Sequence, residues 1–311
     1  MIWVQRTECP EPLKPGEPDK RSRVGARELE KVKAKIALGQ KPASKDFKAY
    51  GHDDVRNALK EMFHGKCAYC EMKVSGGIDT DVEHYRPKAG VTEADEAGVD
   101  HPGYWWLAMV WENLVPSCAH CNQMRSNHLH IPSGLASEAE FINFLETADG
   151  QSSGKANYFP TEDDFWITAP GDLSAEKPLI LDPTGEEDPE DHLEWVIFDG
   201  VASVVRPRDD SLAGEASIRI LGLNRRWLEE HRRTHLLQMQ LYRNLIIKYA
   251  NARKAAQTDQ ERASTSEMLN DMSNLLWAMT DERKPFRALS FAFIEVVQEE
   301  VRQIMEGVPA D

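Results

Sequence analysis

Two short stretches, KCAYCEMKVSGGIDTDVEHYRPK (66–88) and WENLVPSCAHCN (111–122), decide how this chain folds. Each holds a Cys-x-x-Cys pair, Cys67 with Cys70 and Cys118 with Cys121, and 47 residues lie between the pairs. Two thiolate pairs on tight knuckles give Zn²⁺ four sulfur ligands in a closed tetrahedron, the mark of a structural ion. Disulfides are the competing explanation. They are disfavoured here, because the opening MIWVQRTECP lacks the charged-then-apolar layout of a signal peptide. No apolar run reaches bilayer-spanning length. The expectation is therefore a cytoplasmic protein with reduced thiols and no membrane attachment. Cys9 reads as incidental, and His120, inside the second knuckle, as a surface residue.

Outward from the knuckles, the pattern predicts an α+β protein that is mostly helical. Residues 1–66 read as a proline-rich extended arm (1–22) followed by two helices. The first begins near Ala26 with Leu29, Val32 and Ile36 on one face and ends at Gly39 and Pro42. The second runs from about Asp53 to His64, capped by Asp53 or Asp54, with Val55, Leu59, Met62 and Phe63 inward. Residues 67–135 form the cysteine core. Gly76 and Gly77 mark a turn, and Thr80, Val82 and Tyr85 alternate as a strand does. A loop follows at 89–103, then an aromatic run 104–111, then a short exposed helix from Cys121 onward. Residues 136–210 are acidic and loop-rich, with a strand at Pro178–Asp182 and a hairpin pairing Leu193–Phe198 with Val201–Val205 through Asp199–Gly200. Residues 211–311 are helical, with a long helix from Arg225 to about Ala256 and two more near 260–280 and 285–306.

The formal net charge of -15 argues against a uniformly basic surface. The acid is concentrated in 137–202, however. Residues 20–66 carry 13 Lys or Arg against 6 Asp or Glu, and residues 203–256 carry 11 against 5. A basic face for nucleic acid is compatible with that distribution, as are two solvated helix surfaces. At 41% hydrophobic residues and a mean hydropathy of -0.54, the chain suits a soluble globular fold.

Between and after the knuckles stand Glu83-His84, Asn113-Leu114 and Asn122. His84 has the near-neutral intrinsic pKa of a general base. Glu83 and Asn122 offer oxygen to a hard cation such as Mg²⁺ or Mn²⁺. The layout C-x-x-C, E-H, N-L, C-x-x-C-N resembles the HNH endonucleases in their zinc-knuckle form. The segments EHYRPK (83–88), YWWLAMVWENLVPSCAHCN (104–122), ILDPTGEEDPEDHLEW (180–195) and IRILGLNRRWLEEHR (218–232) narrow the resemblance. They are similar to the HNH nucleases of anti-phage defence operons, which include the Septu nuclease subunit and its retron-associated relatives.

That resemblance implies a ββα-metal core of one hairpin and one helix, stabilised by the four-cysteine zinc, and hydrolysis of DNA phosphodiesters. It implies His84 as base and Asn113 as the residue orienting the His84 loop. Glu83 and Asn122 become ligands of a catalytic Mg²⁺ or Mn²⁺, with Glu83 brought round by an Ω-shaped loop or bulge. An ATPase is the implied partner protein. Arg86, Lys88 and Arg125 are candidate phosphate contacts. His101, His128 and His130 read as structural, and Trp105, Trp106 and Trp111, at helical spacings, as packing. Two other readings stay open: a zinc-stabilised nucleic-acid-binding or adaptor module that does not cut, and an HNH subunit of a modified-base restriction system.

Overall fold

The computed structural model describes residues 1–15, 24–40, 42–74, 80–128, 134, 137–147, 150–198 and 202–307. In chain order the elements are helices α1 (Val24–Ala37) and α2 (Asp53–Met62), strand β1 (Thr80–His84), helix α3 (Thr92–Glu96), strand β2 (Leu114–Cys118) and helix α4 (Ala119–Asn122). Strand β3 (Arg125–His128), helix α5 (Glu138–Thr147), strands β4 (Gln151–Ser153), β5 (Leu193–Phe198) and β6 (Ala202–Pro207) come next. Helices α6 (Leu212–Leu221), α7 (Arg226–Ala255), α8 (Asp259–Trp277) and α9 (Arg287–Glu306) complete the series. The class is α+β, with helix far outweighing strand. Among the described residues no helix is long and apolar enough to cross a membrane.

The chain divides into two compact units. The first comprises Met1–His128, Gly150–Leu193 and Pro207–Leu223. In it β1 pairs antiparallel with β2 in an unbroken register from Thr80↔Cys118 to His84↔Leu114, and α4 follows β2 directly. Helix α2 buries Val55, Leu59 and Met62, as its periodicity predicts, and Phe63 after it. Its cap is His52, not Asp53 or Asp54. The imidazole Nδ1 accepts the Asp54 N–H at 3.2 Å, and both aspartates already lie in the first turn. The described part of the N-terminal arm, residues 1–15 with a 3₁₀ turn at Glu11–Leu13, is firmly held: Arg6 donates to the carbonyls of Trp111, Glu112 and Leu114, at 3.0, 3.0 and 2.6 Å. It thereby fixes the segment that carries Asn113.

The second unit comprises Leu129–Asp149, Glu194–Arg206 and Asn224–Asp311. Helices α7, α8 and α9 appear where the apolar periodicity puts them. Leu236, Met239 and Ile246 of α7 and Leu289, Phe293 and Val297 of α9 are buried. A capping box of Thr258 and Glu261 starts α8. Strands β5 and β6 pair as the expected hairpin, and Phe141, Phe198 and Val204 form a small apolar cluster on it. Asn224 grips the hairpin by accepting from Val205 N at 2.9 Å and donating to Val205 O at 2.8 Å.

Several local expectations change. Pro178–Asp182 is no strand: it makes a single antiparallel bridge, Pro178 with Thr161, through Leu179 N–H to Pro160 O and Glu162 N–H to Lys177 O, and Leu181 N–H then goes to the Ser217 hydroxyl. The 89–103 loop contains α3. Trp105, Trp106 and Trp111 lie on two separate 3₁₀ turns rather than one helix, and all three are buried. Helix α4 ends at Asn122 because the Cys121 and Asn122 carbonyls accept from Lys155 N and Ala156 N, leaving nothing to extend the helix. Arg125 therefore sits on a strand. Gly76, Gly77, His130 and the Asp199–Gly200 turn lie outside the described residues.

Candidate functional site

The four knuckle cysteines converge. All four sulfurs lie within 4.8 Å of one another, and each residue is buried. Zn–S bonds of about 2.3 Å in a tetrahedron require sulfurs about 3.8 Å apart, and Cys70 Sγ stands 3.8 Å from Cys118 Sγ. The donor set and the spacing both fit zinc. Locally, the Glu71 N–H closes the first knuckle on Cys67 O at 3.0 Å, with Glu71 at φ 60°. Ala68 N–H then ties that knuckle to Pro116 O of β2 at 2.8 Å. Burial opposes ionisation of Cys67, yet hydrogen bonds with Cys118 and Cys121 bring its thiol below the ordinary cysteine value.

A cleft of 320 Å³ runs along the end of β1, lined by Tyr50, Glu83, His84, Lys88 and Asn122 among others. His84 is buried, and its protonation state follows from its partners. Ala108 O, 3.1 Å from Nε2, only accepts, so Nε2 carries the hydrogen. The Lys88 ammonium, 3.3 Å from Nδ1, only donates, so Nδ1 is bare. Burial first, and Lys88 second, hold the ring's pKa well below the usual histidine value. His84 is a neutral imidazole with Nδ1 as its basic atom. Tyr50 meets the ring edge-on, with centroids 4.6 Å apart, and lies 4.7 Å beneath the Lys88 ammonium.

Glu83 enters the same cleft without a bulge, since the β1 register is unbroken. Its carboxylate Oε1 accepts from the buried Lys155 Nζ at 3.0 Å. Burial raises its pKa, opposed by Lys155. Asn122 donates its amide to Asp81 Oδ2 at 2.9 Å, which leaves the amide oxygen as its ligand atom. Glu83 and Asn122 are thus oxygen donors in one polar cleft, a set that suits a hard cation which keeps several of its waters.

Asn113 lies behind the cleft. Its Oδ1 accepts from Arg86 N at 2.7 Å, and its Nδ2 donates to Arg86 O at 3.1 Å and Leu107 O at 3.3 Å. It pins the chain two residues past His84.

Set against known proteins, the chain is 31% identical to Septu protein PtuB of Bacillus mycoides (strain KBAB4) over 298 residues, 93% of this chain and 88% of that protein. The chain belongs to the Septu PtuB family. Shorter similarities of 80 residues, a quarter of this chain, link it to Septu protein PtuB of Bacillus thuringiensis and Septu protein PtuA of the same B. mycoides strain. The first is 32% identical and covers 26% of that protein; the second is 30% identical and covers 11%. No family model and no solved structure matches the chain.

In this PtuB-family chain, Glu83, His84, Lys88 and Asn122 meet in one cleft. Arg86 and Arg125 do not line it. Arg86 gives its guanidinium to the buried Glu176 carboxylate at 2.8 Å and packs over Tyr85 and Phe159, while Arg125 is exposed and contacts Gln123. His101 is structural: its ring bridges Ile167 O and Gly103 N. Tyr50, Asp81 and Lys155 escaped sequence reasoning, and nothing in the sequence marked Tyr50. Asp81 carried a usable signal, standing two residues before Glu83 on a strand and so on the same side. Lys155 carried a fainter one, being one of only two cations, with Lys177, in the acidic 137–202 stretch.

Proposed function

We propose that this chain is the nuclease subunit of a Septu-type anti-phage defence system, an HNH endonuclease that hydrolyses DNA phosphodiesters and works with an ATPase partner of the PtuA kind. The observation that carries the reading is His84. It is buried and neutral, its tautomer is fixed by Ala108, and it lines the same cleft as two oxygen donors, Glu83 and Asn122. A general base needs that protonation state, and a cleft with oxygen ligands next to it is where a phosphodiester would be attacked. The antiparallel pair of β1 and β2, with α3 in the connection between them, is followed at once by α4, an arrangement that supports the ββα reading.

In this mechanism a phosphate oxygen draws the Lys88 ammonium off His84, and Lys88 neutralises part of the substrate charge. His84 Nδ1 then takes the proton from the attacking water. Glu83 and the Asn122 amide oxygen would hold Mg²⁺ or Mn²⁺, which supplies charge stabilisation at the phosphorane and the leaving oxygen. Asn113 keeps the backbone beyond His84 in place throughout. The zinc cysteines take no part in bond breaking.

The test is cleavage of supercoiled plasmid with Mg²⁺ or Mn²⁺, with and without the ATPase partner, comparing wild type with His84→Ala. Zinc content and circular dichroism establish that both are folded. Loss of the general base should lower the rate by about 10²–10⁴-fold. Equal cleavage by the two proteins, or none by a zinc-loaded wild type with its partner, refutes the reading and leaves a non-cutting nucleic-acid-binding or adaptor module.

A further inference from the structure

Lys155 is fully buried in a stretch of chain that is otherwise strongly acidic. Its ammonium makes two directed bonds, to Glu83 Oε1 at 3.0 Å and to the His84 carbonyl at 2.9 Å. Its own backbone N–H bonds the Cys121 carbonyl at 2.8 Å, and the next N–H, of Ala156, bonds the Asn122 carbonyl at 2.6 Å. The residue before it, Gly154, lies so close to the second knuckle that a Cβ would stand 2.0 Å from Gln123 O. One tripeptide, Gly154–Ala156, therefore grips the strand that carries Glu83 and His84 and the helix that carries Cys121 and Asn122.

A buried ammonium is costly unless fully paired, and Lys155 has spent that cost on the two residues that face the cleft. Packing alone would be served better by an apolar side chain of similar volume. The arrangement makes sense as a device for orientation. With Oε1 clamped, Glu83 presents Oε2 in a single direction, and His84 is held from its carbonyl while its ring is held from Ala108. We infer that Lys155 is a positioning residue, a cross-brace that sets Glu83 and His84 against Asn122 and so couples the zinc knuckle to the geometry of the cleft. This inference rests on the nuclease reading above.

The experiment uses the full chain, with its partner for cleavage, in five forms: wild type, Glu83→Gln, Lys155→Met, Lys155→Arg and the double variant Lys155→Met/Glu83→Gln. Zinc content and thermal unfolding are measured without added metal, Mn²⁺ binding by electron paramagnetic resonance, and cleavage per folded, zinc-loaded molecule. Lys155→Met leaves a buried carboxylate unpaired and should melt well below wild type. The double variant, lacking both charges, should melt above Lys155→Met, which no independent pair of defects would do.

Folded Lys155→Met should bind Mn²⁺ roughly two- to tenfold more weakly, the cost of ordering one freed side chain, and kcat should fall by at least about tenfold, since a misplacement near 1 Å is enough for that. Lys155→Arg, able to donate to both acceptors, should recover part of kcat. Removing the ammonium also relieves repulsion of the incoming cation. Mn²⁺ bound more tightly by Lys155→Met would therefore show that charge, not orientation, dominates, and would overturn the proposal. So would a wild-type kcat in Lys155→Met with cleavage by wild type intact, a result that spares the nuclease reading. A zinc-loaded wild type that neither binds Mn²⁺ nor cuts DNA overturns both.

Discussion

Gly103→Ala should damage both the stability and the site of this protein, and the two costs can be separated. Gly103 has φ +77°, and a Cβ built on it would stand 2.3 Å from Gly90 N, 2.4 Å from Ala89 N and 2.5 Å from Lys88 C. These are backbone atoms about an ångström inside van der Waals contact, and no rotamer change relieves them. Both sides are tied down: Gly103 N–H bonds His101 Nδ1 at 3.0 Å, and Tyr104 N–H bonds Pro87 O at 2.7 Å. The left-handed conformation costs a non-glycine residue about 1–2 kcal/mol, and overpacking adds about 1–3 kcal/mol. The sum, about 2–5 kcal/mol, corresponds to a fall in Tm on the order of 5–20 °C for a unit of this size. Any relief must push the 88–90 segment away, carrying Lys88 from its place 3.3 Å from His84 Nδ1. Cleavage should then drop by on the order of a hundredfold at temperatures where the variant is folded. The control is Gly98→Ala, where φ is +78° but nothing lies within 4 Å of a Cβ. It should pay the conformational cost alone and keep its activity. Scanning calorimetry and plasmid cleavage decide the matter. A Gly103→Ala protein that melts with Gly98→Ala and cuts as well as wild type would refute the close approach as the reason for glycine here.

Two further perturbations test the supports of the cleft. Asn113→Ala strands the Arg86 N–H and two carbonyls in the interior and should cost about 3 kcal/mol in urea unfolding. Asn113→Asp, which turns an oxygen toward the Arg86 and Leu107 carbonyls, should cost at least as much, and an Asp variant as stable as wild type would show that the Nδ2 bonds are unimportant. Removal of zinc should unfold the knuckle region, because four buried cysteines packed within 4.8 Å of one another lose the ion that offsets their burial. Mass spectrometry of the metal should give one zinc per chain, and a melting curve unchanged by a strong chelator would rule the site out as structural.

What the sequence revealed was what local pattern or fixed stoichiometry encodes. Two Cys-x-x-Cys pairs are legible because zinc dictates ligand number and knuckle spacing, wherever the pairs lie in the chain. Helices α2, α7, α8 and α9 are legible because burial repeats with the helical period, whereas α5 (Glu138–Thr147) lies in a stretch that reads as loop. The failures share a different cause. The Pro178–Asp182 segment has the composition of a strand, but its pairing stops at one bridge, Pro178 with Thr161, because the next inward N–H, of Leu181, goes to a serine hydroxyl. The end of α4 is set by Lys155 and Ala156, more than thirty residues downstream. Arg86 has the look of a phosphate contact until Glu176, 90 residues away, is seen beside it. Lys155 is the extreme case. Its acidic surroundings mark it only as an unusual cation and not as a buried one, because its two acceptors lie 72 and 71 residues earlier in the chain.

The same geometry explains why a structural ion would belong beside this cleft. Cys121 belongs to the cysteine cluster and Asn122 lines the cleft, and the two are consecutive residues of a single helical turn. Cys118 ends the strand whose other end pairs with His84, through Leu114. An ion held by the four cysteines would fix the junction of β2 and α4, the point from which Asn122 enters the cleft. A small hairpin and a four-residue helix could not hold such positions alone, since each is below the length at which isolated elements are stable. The knuckle supplies the rigidity, and Lys155 carries it the last few ångströms to Glu83 and His84.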